Sequence, residues 1–150
     1  MITKQSFIAL LVVAVSGCSS NFQLPVEVGG GQSSTIAQLD RTLYLRGDFT
    51  LWDAEPQYRL IQTQPGVYAA KANFPIPGKV YEFKIADNKW SEGYNCGYKS
   101  EGQLTLGVPL NADCNTVYNY FSFKPSRKGW YEIQFDYRNP QQPKVLLVKL

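Results

Sequence analysis

From Leu39 onward the chain breaks into short runs rich in Tyr, Phe, Val, Ile and Leu, each bounded by Gly, Pro, Asn or Asp. None carries the three-to-four-residue stripe of an amphipathic helix. In one run Tyr81, Phe83 and Ile85 alternate with Glu82 and Lys84; in another Tyr131, Ile133, Phe135 and Tyr137 alternate with Glu132, Gln134 and Asp136. Alternation of period two puts one apolar and one polar face on a strand. Strands are expected over residues 42–46, 57–62, 67–73, 80–86, 103–108, 118–123, 129–137 and 144–150. Half-buried strands with short connections fit an antiparallel sheet, because a parallel one needs helical crossovers. The fold class read from this is all-β, an antiparallel β-sandwich of about seven to eight strands over residues 39–150. The segment Asn139-Pro140-Gln141-Gln142-Pro143 should turn the last two strands into a hairpin.

Composition narrows the chemistry. The 150 residues contain no histidine, which removes Ser-His-Asp and Cys-His nucleophiles, histidine bases and histidine-ligated metals. The 15 Lys and Arg against 12 Asp and Glu give a formal charge of +3, and they are scattered singly. Nucleic-acid backbones need a basic stripe, so nucleic acid is not an expected partner.

Residues 1–17 have the order of a secretory signal, with Lys4 ahead of an apolar run from Phe7 to Val15. Val15-Ser16-Gly17-Cys18 resembles a bacterial lipobox, in which the cysteine thiol is lipidated before cleavage on its N-terminal side. The alternatives are an uncleaved anchor or a coincidental cysteine, although the apolar run is short for a membrane span. Acyl chains, palmitate among them, on Cys18 would hold the protein durably at a bilayer, since each buried methylene contributes about 0.8 kcal/mol. Ser19 rather than Asp follows, which by resemblance to Gram-negative lipoproteins implies the outer membrane of the cell envelope, with the leaflet open. Residues 18–38, with Gly29-Gly30-Gly31 and several serines, read as the lipidated cysteine and a flexible tether.

Lipidation of Cys18 leaves Cys96 and Cys114, an even pair in an oxidising compartment, and a disulfide is expected. It would contribute about 3 kcal/mol. Two free thiols or a metal pair are the alternatives, and two cysteines without histidine do not complete a zinc site.

Trp52 and Trp90 lie just past strand ends in polar surroundings. A sugar presents an apolar C–H face fringed by hydroxyls, so flat aromatic platforms beside hydrogen-bonding side chains suit it. Lys84, Asp87, Asn88 and Asn95 are the nearest polar groups in sequence. Burial of both indoles in the core is the competing reading.

Leu43-Tyr44-Leu45-Arg46-Gly47-Asp48-Phe49-Thr50-Leu51-Trp52 resembles the "YLRGxFNxW" opening of early-set immunoglobulin-like domains found beside pullulanase catalytic domains. Tyr81-Glu82-Phe83-Lys84-Ile85-Ala86-Asp87, with Trp90-Ser91 and Asn95-Cys96-Gly97, is similar to the "YEFKIAD..W....NFG" block of the same modules. These are related to family-48 carbohydrate-binding modules, the glycogen-binding domain of the AMP-activated kinase beta subunit, and domains of starch-utilisation surface lipoproteins. The resemblance implies a non-catalytic α-glucan surface in which Trp52 and Trp90 stack on the ligand and Lys84 hydrogen-bonds it. Asn95 and Tyr94 join the candidate carbohydrate-binding residues, and no cofactor or metal is implied. Thr50 replaces the usual Asn, and Cys96 replaces an aromatic. A Cys96–Cys114 bridge would instead pin the loop holding Asn95 and lower the ordering cost of binding.

Other patterns yield to plainer readings. Asp48, Asp53, Glu55, Asp87 and Glu92 cluster in two loops, but glycoside hydrolysis needs two carboxylates flanking one bond in a cleft. No alternating acidic loop suggests calcium. Arg46-Gly47-Asp48 spells an integrin-recognition tripeptide by coincidence, Gly47 being where the strand turns. Trp130 is expected to pack in or at the edge of a strand. The leading function is membrane-anchored binding of α-glucan or a related oligosaccharide. The alternative is a structural or adaptor lipoprotein whose domain docks an envelope or secretion component without sugar.

Overall fold

The computed structural model describes residues 35–150. The signal segment, Cys18 and residues 18–34 of the expected tether lie outside them. The described residues form one compact unit. Nine strands build it: β1 (Tyr44–Gly47), β2 (Ile61–Gln64), β3 (Val67–Phe74), β4 (Tyr81–Ala86), β5 (Asn95–Tyr98), β6 (Leu110–Asp113), β7 (Phe121–Phe123), β8 (Gly129–Asp136) and β9 (Lys144–Lys149). Among the described residues the helical turns are two 3₁₀ segments, Asp48–Thr50 and Pro56–Tyr58.

The strand order is β1-β4-β5-β6-β9-β8-β3-β2, with β7 pairing β4, and every strand pair is antiparallel. The sheet curls on itself to enclose one core, the all-β sandwich expected from the alternation. Tyr81, Phe83 and Ile85 point inward from β4, as Tyr131, Ile133 and Phe135 do from β8. They meet Leu43, Leu45, Phe74, Phe121, Phe123 and Leu147. Phe74 sits at the centre, with the rings of Tyr81, Phe123 and Tyr131 at 4.7, 5.6 and 5.5 Å between centroids. Such offset and edgewise contacts add to the burial of large rings.

The β8–β9 hairpin closes through the proline-rich turn, where the Gln142 amide donates to the Asn139 carbonyl at 3.0 Å. At the N-terminal end Leu39 packs on the core and its amide donates to the Tyr68 hydroxyl at 2.9 Å. The expected disulfide is present between Cys96 and Cys114.

Four sequence expectations differ from the structure. Residues 57–62 are not one strand, since a 3₁₀ turn covers Pro56–Tyr58 and β2 starts at Ile61. Residues 103–108 form a loop rather than a strand: Leu104 alone is buried, and Gly107 turns the chain at φ 73°. β5 and β6 appear where no strand was expected. Trp130 is 53 % exposed on β8, because it falls on the outward phase of the alternation that buries Tyr131.

Candidate functional site

Trp52 and Trp90 come together from two loops. The first leaves β1 at Gly47, where any side chain would collide with Phe83, whose Cβ lies 2.6 Å from the position a Cβ would take. The Thr50 hydroxyl pins this turn, accepting from the Gly47 amide at 3.0 Å and donating to the Gly47 carbonyl at 3.1 Å. Threonine thus holds the turn at the position where the motif it resembles carries Asn. The Trp52 amide then donates to the Gly47 carbonyl at 3.0 Å.

The second loop follows β4. The Asp87 carboxylate accepts from the Lys89 and Ser91 amides at 3.1 and 2.9 Å, folding the chain into a tight turn that presents Trp90. Burial opposes ionisation of Asp87, but the Ser91, Lys89 and Arg41 hydrogen bonds outweigh it and hold the carboxyl below its usual range.

Both tryptophans occupy left-handed backbone, Trp52 at φ 67° and Trp90 at φ 58°. Leu51 is the other non-glycine residue of this kind among the described residues. Such a conformation costs about 1–2 kcal/mol for a residue with a Cβ. Arg46 holds the arrangement in place. Its Nε donates to the Trp52 carbonyl at 2.8 Å, its Nη1 to the Asp87 carbonyl at 2.7 Å, and its Cζ lies 3.6 Å from the Trp90 ring centroid. Burial lowers the pKa of this guanidinium, with Asp53 and Asp87 opposing.

The indole centroids are 6.5 Å apart with planes inclined by 42°, and the Tyr120 ring stands 5.0 Å from Trp52. Trp90 is 36 % exposed and Trp52 is partly exposed, so the reading in which both indoles are core residues does not hold. Together with Lys84, Asn95, Val117 and Tyr118, these rings line an open cleft of about 350 Å³ that contains no carboxylate.

Lys84 differs from its expected role. It is 1 % exposed, and its ammonium donates to the Thr116 carbonyl (2.6 Å), the Thr116 hydroxyl (3.0 Å) and the Val117 carbonyl (3.2 Å). All three N–H groups are therefore engaged within the protein. Burial brings its pKa down to about 8, with Asp113 opposing. The amine forms the floor of the cleft and clamps residues 116 and 117 rather than standing between the indoles.

Asn95 is in β5, not a loop, and is 9 % exposed. Its Oδ1 is buried without a hydrogen-bond partner, the one such side-chain atom among the described residues. An unpaired buried acceptor costs about 1–3 kcal/mol, which a ligand hydroxyl donating to it would remove. Tyr94 is not part of the cleft: its hydroxyl donates to Asp40 at 2.7 Å, and Arg41 lies 4.4 Å over its ring, so it secures the start of the domain.

Sequence reasoning missed Arg46, Val117, Tyr118 and Tyr120. The segment carrying the last three is fixed by the Cys96–Cys114 bridge, by Lys84, and by the Asn119 side-chain amide donating to the Tyr98 carbonyl at 2.9 Å. Gly97 allows this segment to lie directly on β5, since a side chain there would overlap the Asn119 carbonyl. Among the described residues no three His, Cys, Asp or Glu side chains gather as a metal site requires.

This architecture is similar to the ligand-induced structure of AmyP-SBD, a starch-binding domain, with a TM-score of 0.56 over 98 % of this chain and 99 % of that one. The chain has the fold of AmyP-SBD. Identity between the two is 18 %, so the likeness concerns fold. No protein-family model and no curated protein matches the chain. In the AmyP-SBD fold of this protein, then, the cleft stands at the loops following β1 and β4 and beside the segment entering β7.

Proposed function

We propose that the protein binds α-glucan or a related oligosaccharide without transforming it, by stacking sugar faces on Trp52, Trp90 and Tyr120. The observation that carries this reading is the pair of adjacent, partly exposed indoles held in left-handed backbone and braced by Arg46. A fold holds strained residues where the surrounding structure over-determines them, and such residues cluster at ligand sites. The starch-binding fold of AmyP-SBD supports the same ligand class. The absence of carboxylates from the cleft lining supports binding rather than hydrolysis.

Asn95 Oδ1 is the acceptor for a ligand hydroxyl, and Lys84 acts by holding the opposite wall. An open cleft buries little of its ligand, so affinity falls in the micromolar to millimolar range. Calorimetric titration of maltoheptaose into wild type and Trp90→Ala tests the site. Binding by wild type with loss in the variant is expected, and equal heats for both would remove it.

We also propose that Cys18 carries lipid and holds the domain at the outer membrane, on the support of the sequence order in residues 1–18. Labelling with radioactive palmitate should mark wild type and not Cys18→Ala.

A further inference from the structure

A second depression of about 380 Å³ lies beside the first, and the two share Tyr118 and Tyr120 as their common boundary. We infer that the glucan site continues across these tyrosines into this second depression, making the preferred ligand a neutral oligosaccharide long enough to occupy both. The inference rests on the glucan reading and adds the direction, length dependence and charge of the ligand.

Strand geometry sets the direction. Glu82 and Lys84 share the outer face of β4 because successive residues alternate, and Lys84 floors the first cleft while Glu82 lines the second. In register, Glu82 faces Ser122 of β7, and Ser122 in turn bridges to Gln103. Three polar residues thus stand in a row, from β4 across β7 to the loop that carries Gln103. Tyr118 is 79 % exposed where the two depressions meet, and Tyr98 lines the second. The combination of rings with hydroxyl and amide groups repeats what the first cleft offers to a sugar, and Glu82 adds a carboxylate acceptor that the first cleft lacks.

Charge sets the chemical class. The second depression is lined by one carboxylate and no Lys or Arg, and the cation of the first has all three N–H groups engaged by Thr116 and Val117. An anionic chain, such as a uronate polymer, would meet Glu82 without any free cation to compensate. A neutral chain of hydroxyls meets acceptors and donors throughout.

The test compares maltotriose, maltoheptaose and oligogalacturonate on wild type, Trp90→Ala and the double variant Glu82→Ala/Gln103→Ala, whose side chains are exposed and lie outside the core. Wild type should favour maltoheptaose over maltotriose. The double variant should lose maltoheptaose affinity roughly tenfold, as expected for two lost hydrogen bonds, and keep that for maltotriose. Trp90→Ala should lose both. A double variant with the wild-type ratio of the two affinities overturns the extension while leaving the indole site standing. Wild type that binds neither maltosaccharide overturns the glucan reading and this inference together. Tighter binding of oligogalacturonate than of maltoheptaose overturns the assignment to neutral chains.

Discussion

The guanidinium carbon of Arg46 lies 3.6 Å from the centre of the Trp90 ring, on a side chain that also donates to the Trp52 carbonyl. One residue therefore fixes the positions of both indoles. Replacing it with Met keeps the stem and removes the charge, leaving the Trp52 and Asp87 carbonyls without their donor. Arg46→Met should destabilise the domain by about 3 kcal/mol in urea unfolding and weaken maltoheptaose binding. Arg46→Lys should recover little, because an ammonium cannot stack and donate in two directions as the planar fork does. Full recovery by lysine would show that charge alone matters.

Asn95 separates folding from binding. Removing a buried acceptor that has no partner should leave stability unchanged or raise it, whereas removing a ligand contact should lower affinity. Asn95→Ala is expected to show both, read by thermal unfolding and by titration. A marked loss of stability with unchanged affinity would place the residue in the scaffold.

Lys84 gives a pH signature. Its pKa in the fold is about 8, against 10.5 for an ordinary lysine. Between these values the unfolded chain binds more protons than the folded one, so this group makes stability rise with pH from about 8 toward 10.5. Below about 8 the folded protein bears the full cost of the buried charge. Tyr58 and Tyr137, whose pKa values burial raises above 10.0, act in the opposite sense only above that value. Urea midpoints at about pH 7.5 and about pH 9.5 should therefore increase in wild type and stay level in Lys84→Met. An equal slope in both proteins would assign the effect elsewhere.

The Cys96–Cys114 bridge joins residues 18 apart in sequence and anchors the segment that carries Tyr118 and Tyr120. Its removal in Cys96→Ala/Cys114→Ala should cost about 3 kcal/mol of stability. Affinity should also drop under conditions where the variant remains folded, because the tyrosine wall must then be ordered on binding. Unchanged affinity would mean that the Lys84 and Asn119 hydrogen bonds suffice.

What the sequence made legible follows from where local pattern and tertiary packing agree. β4 and β8 declare themselves because each buries one full face, so period two survives in the letters. β5 reads Asn-Cys-Gly-Tyr, a turn by composition. It is a strand because β4 and β6 pair with it and the bridged segment covers it. β6, Leu-Asn-Ala-Asp, is likewise polar and owes its extension to β5 and β9. Gln103–Val108 shows the reverse: apolar letters suggested a strand, yet Leu106 and Val108 are exposed.

Within the cleft, the tryptophans were visible through the motif, and the structure brings Trp52, Trp90, Lys84 and Asn95 to one surface. Arg46 was hidden because its role depends on a loop 41 residues away in sequence. Tyr118 and Tyr120 were hidden because the segment that carries them is positioned by contacts across the fold. Alternation placed Lys84 outward correctly, but no local signal revealed that residues 116 and 117 fold over it.

Trp52 and Trp90 each hold a dihedral that glycine or asparagine would adopt more readily. A library of variants screened for heat resistance alone, with no ligand present, should accumulate those smaller residues at both positions. The survivors would be sturdier proteins stripped of the aromatic platform on which the proposed sugar binding depends.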